Sequence, residues 1–170
     1  MNFVRVYDYL TKARAKLFDW IRPLTQAQYT HEFPFAHHTL QATMVEMARA
    51  EWLYTTRLQR KTVPPREEWP ISVQRQPTFA ELEAAWTAQA PQTARTLAEI
   101  TDWESPFEYS VTERGKRIII TVTPADVATQ LCFHEVHHRA QAMAMLRQLG
   151  VEAQNLDYSI FMYGRREEPA

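Results

Sequence analysis

From Pro124 to Leu149 the chain holds no internal proline and no glycine, and it is bracketed by a start and a stop signal. Thr123 is a capping residue, Pro124 suits the first helical position and Asp126 falls in the first turn. Gly150 suits the left-handed position just past a helix end. A helix this long must bury its apolar stripe against other elements. Only three glycines occur in 170 residues, too few for a turn-rich all-β fold. The rest of the chain therefore has to supply partner helices.

Three further helical patterns are present. Residues 3–22 place Phe3, Tyr7, Leu10, Leu17 and Ile21 on one face and stop at Pro23. Arg14 interrupts this stripe, and the expectation is that its aliphatic stem covers apolar surface while the guanidinium reaches water. A second helix is expected from about Thr39 to Arg60, with Leu40, Met44, Met47, Tyr54 and Leu58 as apolar positions. Thr78-Phe79-Ala80-Glu81 is a capping box that opens a third helix toward Ile100, with Pro91 expected to kink or interrupt it. Between the second and third helices, KTVPPREEWPISVQRQP reads as a long connection, either a plain crossover or a lid over a site. FEYSVTERGKRIIITV reads as a β-hairpin, Phe107–Val111 and Arg117–Val122 around Glu113-Arg114-Gly115. NLDYSIFMY near the C-terminus is amphipathic and expected to pack back as a short helix. The architecture expected is an all-α, four-helix bundle in a single domain over residues 1–170, with a small hairpin before the fourth helix.

Bulk properties narrow the function. Nineteen basic residues against twenty acidic ones are scattered without a basic patch, which argues against nucleic acid as a partner. No apolar run approaches membrane-spanning length, the charged N-terminus is no signal peptide, and a lone Cys132 allows no internal disulfide. These point to a cytoplasmic protein.

The chemistry-bearing residues lie in CFHEVHHRAQ, residues 132–141. Val127, Leu131, His134, His138, Gln141, Met145 and Leu149 recur at steps of three or four and form one stripe, expected to face the core. His134 and His138 are about 40° apart on it, one turn from each other, so their ring nitrogens can converge on one ion. The alternative is a pair of hydrogen-bonded core histidines. Two imidazoles need a third protein ligand, and the second helix offers Glu46 and Glu51. Periodicity leans toward Glu51, about 20° from the centre of the apolar stripe against about 120° for Glu46. For either acid the plainer reading is a solvated glutamate or a salt bridge to Arg49 or Arg57. His37 and His38 are further candidates, read more simply as loop or capping residues. Cys132 falls on the side of the fourth helix away from the histidines, and Arg139 points away from the stripe as a structural ion-pairing residue.

His134-Glu135-Val136-His137-His138 also matches H-E-x-x-H, in which Glu135 would be the general base of a metallohydrolase. The extended form with a further glycine and histidine is absent, because Arg139-Ala140-Gln141 follows. Glu135 reads instead as an acid behind the histidines or a surface residue.

LQATMVEMARAEWLYTTRL, the hairpin, HEVHHRAQAMAMLRQLG and the terminal LDYSIFMY, in that order, resemble the DinB-like family of four-helix bundles. That family includes bacterial thiol-dependent S-transferases and mycothiol-dependent maleylpyruvate isomerases. The resemblance implies a divalent ion (zinc, nickel, manganese or iron) held by one second-helix residue and the fourth-helix pair, here His134 and His138. The second-helix ligand of the family precedes a characteristic acid by five positions. In EMARAE that acid matches Glu51, so the ligand slot falls on Glu46, where the family commonly has histidine. The resemblance thus selects Glu46 where periodicity leans to Glu51. It implies a metal-dependent thiol S-transferase or hydrolase acting on a small-molecule substrate with a low-molecular-weight thiol. The competing expectation is a non-catalytic, stress-related metal-binding bundle or a homodimeric scaffold.

Overall fold

The structure is a computed structural model that describes residues 1–72, 75–164 and 166; positions 73 and 74 of the proline-rich connection and 165 and 167–170 at the C-terminus lie outside the described residues. Four long helices, α1 (Phe3–Ile21), α3 (Leu40–Leu58), α4 (Phe79–Glu99) and α5 (Pro124–Gln148), form the bundle. Two short helices accompany them, α2 (Gln26–Tyr29) and α6 (Tyr158–Met162), and strands β1 (Phe107–Glu113) and β2 (Lys116–Val122) precede α5.

Each long helix starts on a residue that can accept from its own free N–H groups. The side chains of Asn2, Thr39, Thr78 and Thr123 receive the amides of Arg5, Ala42, Glu81 and Asp126. At Thr78 and Thr123 the acid three residues on reaches back to the cap backbone, so both capping boxes are complete. Pro91 does not interrupt α4, which runs through it to Glu99. The packing of α4 in the bundle outweighs the one hydrogen bond that a proline removes. In the hairpin Arg114 and Gly115 both adopt positive φ, 48° and 75°, the two-residue turn whose twist matches the strands. Phe107, Tyr109 and Val111 pair with Val122, Ile120 and Ile118, so all six share the half-buried face.

The terminal segment packs back as expected. Tyr9 of α1 donates to Leu156 O at 2.7 Å and stacks edge-on against Tyr158 of α6, and Arg5 donates to the Tyr158 hydroxyl at 3.0 Å.

The centre of the bundle is a buried charge cluster. Arg14 is 4% exposed, and its Nη2 donates to Glu51 Oε2 at 2.5 Å and to Glu135 Oε2 at 2.6 Å. The expectation that Arg14 reaches water is therefore wrong: two acids from other helices meet it in the core, and its guanidinium lies 4.0 Å from the Trp86 ring. Glu51 also accepts from Tyr7 Oη (2.7 Å), Trp86 Nε1 (2.9 Å), Thr93 Oγ1 (2.9 Å) and Gln89 Nε2 (3.3 Å). Every long helix contributes to this one carboxylate or its counter-ion. Glu135 is likewise buried, neither a surface residue nor an acid behind the histidines. Arg139 is buried too, and it donates to the Tyr9 hydroxyl where an ion pair was expected.

Breaking a buried ion pair strands a charge, whereas neutralising all its members does not. Arg14→Met is expected to cost about 3–5 kcal/mol in urea denaturation, and adding Glu51→Gln and Glu135→Gln to it to recover more than half of that loss. Cys132 is buried and its thiol is pushed up to about 12 by burial. Ellman's reagent should therefore find no reactive thiol in the native protein and one per chain in guanidinium.

Candidate metal centre

Helices α3 and α5 run antiparallel: Thr43 meets Met145, Glu46 meets His134 and Tyr54 meets Gln130. The buried positions of α5 are Pro124, Val127, Ala128, Leu131, Cys132, Glu135, Arg139, Ala142, Met143, Met145 and Leu146. Val127, Leu131 and Met145 of the histidine stripe are thus buried as expected, while its middle, with the histidines, borders the core. Its half-buried members His134, His138 and Gln141 line the groove beside α3. The reason is that the charge cluster draws Glu135 inward and Tyr9 receives the buried Arg139, which turns His134 and His138 to one side.

Glu46 projects into the same groove. Its Oε1 stands 3.6 Å from His134 Nε2, with the two side chains 15% and 16% exposed. The other oxygen, Oε2, accepts from Arg49, at 3.1 Å from its Nε and closer from Nη2. The salt bridge to Arg49 read from the sequence thus forms, and it leaves Oε1 facing the histidine. Burial works against the charge of Glu46, but the facing His134 imidazole and the Arg49 guanidinium outweigh it and hold its carboxyl at about 2. Glu51, to which periodicity leaned, has no access to the groove, because the charge cluster takes up both its oxygens.

His138 lies beside His134, ring centroids 4.4 Å apart, and beside His137 at 4.8 Å. Its Nδ1 is 2.7 Å from Gln141 Oε1, while Gln141 Nε2 is 2.9 Å from His137 Nε2. An amide oxygen only accepts, so His138 carries its proton on Nδ1 and leaves Nε2 as a lone pair. Burial, followed by the neighbouring histidines, pushes the His138 pKa below its ordinary value, which favours this neutral form. A ring nitrogen freed in this way by a partner on the other is the usual state of a metal-binding imidazole.

His37 is also brought here, its ring 4.9 Å from that of His138. Read from the sequence as a loop or capping residue, it belongs to the cluster. Left-handed backbone at Ala36 and His38 (φ 52° and 63°) and a bridge between Glu32 and Thr39 turn the loop. His38 itself is structural, its Nδ1 donating to Phe33 O at 3.2 Å. Tyr54, edge-on to His134 at 5.8 Å, and Arg49 were also not singled out as part of a site. The i, i+3 spacing from Glu46 was the available signal for Arg49. The proline-rich connection reaches the same region: Trp69 is buried against Trp52, with Arg49 5.2 Å from its ring.

Among the described residues, no three His, Cys, Asp or Glu side chains are converged closely enough to hold a metal ion as they stand. The donor chemistry nevertheless fits one, with an ionised carboxylate oxygen facing an imidazole and a second imidazole with Nε2 free. At metal–ligand bonds of 2.0–2.1 Å in tetrahedral geometry two donors sit roughly 3.3 Å apart. The 3.6 Å between Glu46 and His134 is longer than a hydrogen bond and near that value. The H-E-x-x-H reading fails on geometry, since Glu135 is held by Arg14 in the core and unavailable to activate a water.

No helix among the described residues is long and apolar enough to cross a membrane. No curated protein matches the chain. The model of the DinB family matches residues 1–169, in keeping with the helical bundle, its hairpin and the helix order described above. Over essentially its whole length, the chain belongs to the DinB family.

Proposed function

We propose that the groove between α3 and α5 holds a divalent metal ion through Glu46, His134 and His138, and that the protein is a metal-dependent thiol S-transferase or hydrolase. The observation that carries this reading is the meeting of Glu46 Oε1 and His134 Nε2 at 3.6 Å beside a His138 whose Nε2 is left free by Gln141. Membership in a family generally associated with divalent metals supports it. Two imidazoles and one carboxylate suit zinc, nickel, manganese or iron(II) and leave positions open for substrate.

Each neighbour has a part. Arg49 fixes the Glu46 carboxylate through Oε2, and Trp69 packs behind Arg49. Gln141 fixes the tautomer of His138. The glutamate lowers the net positive charge of the site relative to three histidines. A bound divalent ion supplies Lewis acidity, favouring the anion of a thiol or water near neutral pH. Cys132 supplies no nucleophile, being buried and protonated, so the attacking thiol or water has to come from outside the chain.

A second reading, a bundle without catalysis, is favoured by the hydrogen-bonded chain His138–Gln141–His137, which satisfies polar groups with no ion.

Elemental analysis separates the two. After incubation with zinc, nickel or manganese and gel filtration, the wild type is expected to retain close to one ion per chain, and Glu46→Ala and His138→Ala less than a tenth of that. Retention by His138→Ala, or no ion in the wild type, would overturn the metal reading. Gln141→Ala should bind the same ion about 10–100-fold more weakly while keeping its stoichiometry, because it loses only the orienting hydrogen bond. Competition with a chromogenic chelator would measure it. With metal bound, loss of free thiol against an activated aryl halide should be faster than with apoprotein; equal rates would favour the non-catalytic bundle.

A further inference from the structure

One turn beyond the histidines the same groove opens into a cleft of about 390 Å³ between α3, α5 and the hairpin. Its walls include Tyr54, Arg57, Tyr109, Asp126 and Gln130. Glu46, Tyr54 and Arg57 follow one another along one side of α3, at steps of eight and three residues. Tyr54 belongs to both places, facing the His134 ring on one side and lining the cleft on the other. A ligand in the cleft would therefore lie next to the proposed metal centre.

Arg57 is the unusual member. Its guanidinium sits 4.1 Å from the Tyr109 ring centroid, and no carboxylate, carbonyl or other acceptor among the described residues bonds it. Its Nε is buried with no hydrogen-bond partner. Of the other half-buried or buried arginines, Arg14 and Arg49 pair with acids, and Arg139 bonds a tyrosine hydroxyl, although its Nη1 is also buried without a partner. The acid in the wall of the same cleft, Asp126, is committed elsewhere: its Oδ2 accepts from the backbone and hydroxyl of Thr123 at the start of α5, where the helix dipole favours its charge. A desolvated guanidinium donor without an acceptor is a cost unless a ligand supplies the acceptor. The side wall offered by Tyr54 and Tyr109 is aromatic, and Gln130, 3.4 Å from Tyr54 Oη, adds a neutral polar group. A cleft of this size accommodates a small organic molecule.

We propose that this cleft binds a small organic carboxylate, its anionic group on the guanidinium of Arg57 and its planar or apolar body against Tyr54 and Tyr109. That the bound acid is also the reacting substrate, set beside Glu46, His134 and His138, rests on the function proposed above. The binding itself does not. Arg57 is thus a specificity-determining residue, selecting acids over neutral analogues of the same shape.

The test uses benzoate as probe and chelator-treated, isotope-labelled full-length protein, so that no metal can hold the carboxylate. Benzoate is expected to give saturable NMR shifts at the Arg57 Nε–H and at the Tyr109 and Gln130 amides. Benzamide, neutral and of the same shape, should bind at least tenfold more weakly, as should benzoate to Arg57→Gln, because a hydrogen bond to a charged group is lost. Thermal melting of Arg57→Gln shows whether the hairpin is still docked, and the benzoate–benzamide comparison needs no variant at all. Equal binding of the two probes, undiminished binding to a folded Arg57→Gln, or the absence of saturable shifts would overturn the proposal. Metal content measured on separate, untreated samples reports on the metal centre alone, so either idea can fail without the other.

Discussion

The Arg14 guanidinium, shared between Glu51 and Glu135, is the interaction around which the bundle is organised. Three charges in a dry core are tolerable only if each is paired and the remaining lone pairs are bonded. Tyr7, Trp86, Gln89 and Thr93 meet that demand for Glu51. A slip or rotation of any long helix would leave one of these groups unsatisfied. The cluster therefore specifies how α1, α3, α4 and α5 face one another more tightly than apolar packing alone would.

The groove inherits its geometry from that choice. With Glu51 turned inward on α3, Glu46, five residues earlier, points about 140° away and emerges at the edge facing α5. With Glu135 turned inward on α5, His134 and His138 fall to the same side of it, about 100° and 60° off. The core acids are not ligands, yet they aim the residues proposed as ligands. The two glutamates of α3 consequently have opposite roles. Glu51 is saturated by donors and serves structure, whereas Glu46 keeps one oxygen toward a histidine and is the acid proposed as a ligand.

Along the groove a gradient of environments follows. At one end the histidine cluster, with His37 laid against His138, offers imidazole nitrogens and one carboxylate. At the other Arg57 is a cation without a counter-ion among the described residues, set on Tyr109. The hairpin closes this second end, held to α3 by the Arg57–Tyr109 contact and to the turn after α3 by Arg60 over Phe107 at 3.7 Å. An insertion between α4 and α5 that looks peripheral in the chain thus forms a wall of the cleft.

The sequence by itself determined the elements. Capping residues and helical periods are local, so the four long helices, the hairpin and the packed-back terminal segment were legible. So was the placing of His134 and His138 on one side of α5, because an i, i+4 pair needs only helix geometry. Periodicity could not choose between Glu46 and Glu51 or foresee the burial of Arg14, since both depend on partners far away in the chain: Arg14 meets Glu51 and Glu135, which are 37 and 121 residues away. Nor could it show that His37, a loop residue as expected, lies against His138, as only the folded loop carries that ring there. Hydrophobic patterning treats charge as outward-facing. Only the tertiary structure decides which charges find enough donors and acceptors to be buried, and that decision turned the helices and opened the groove.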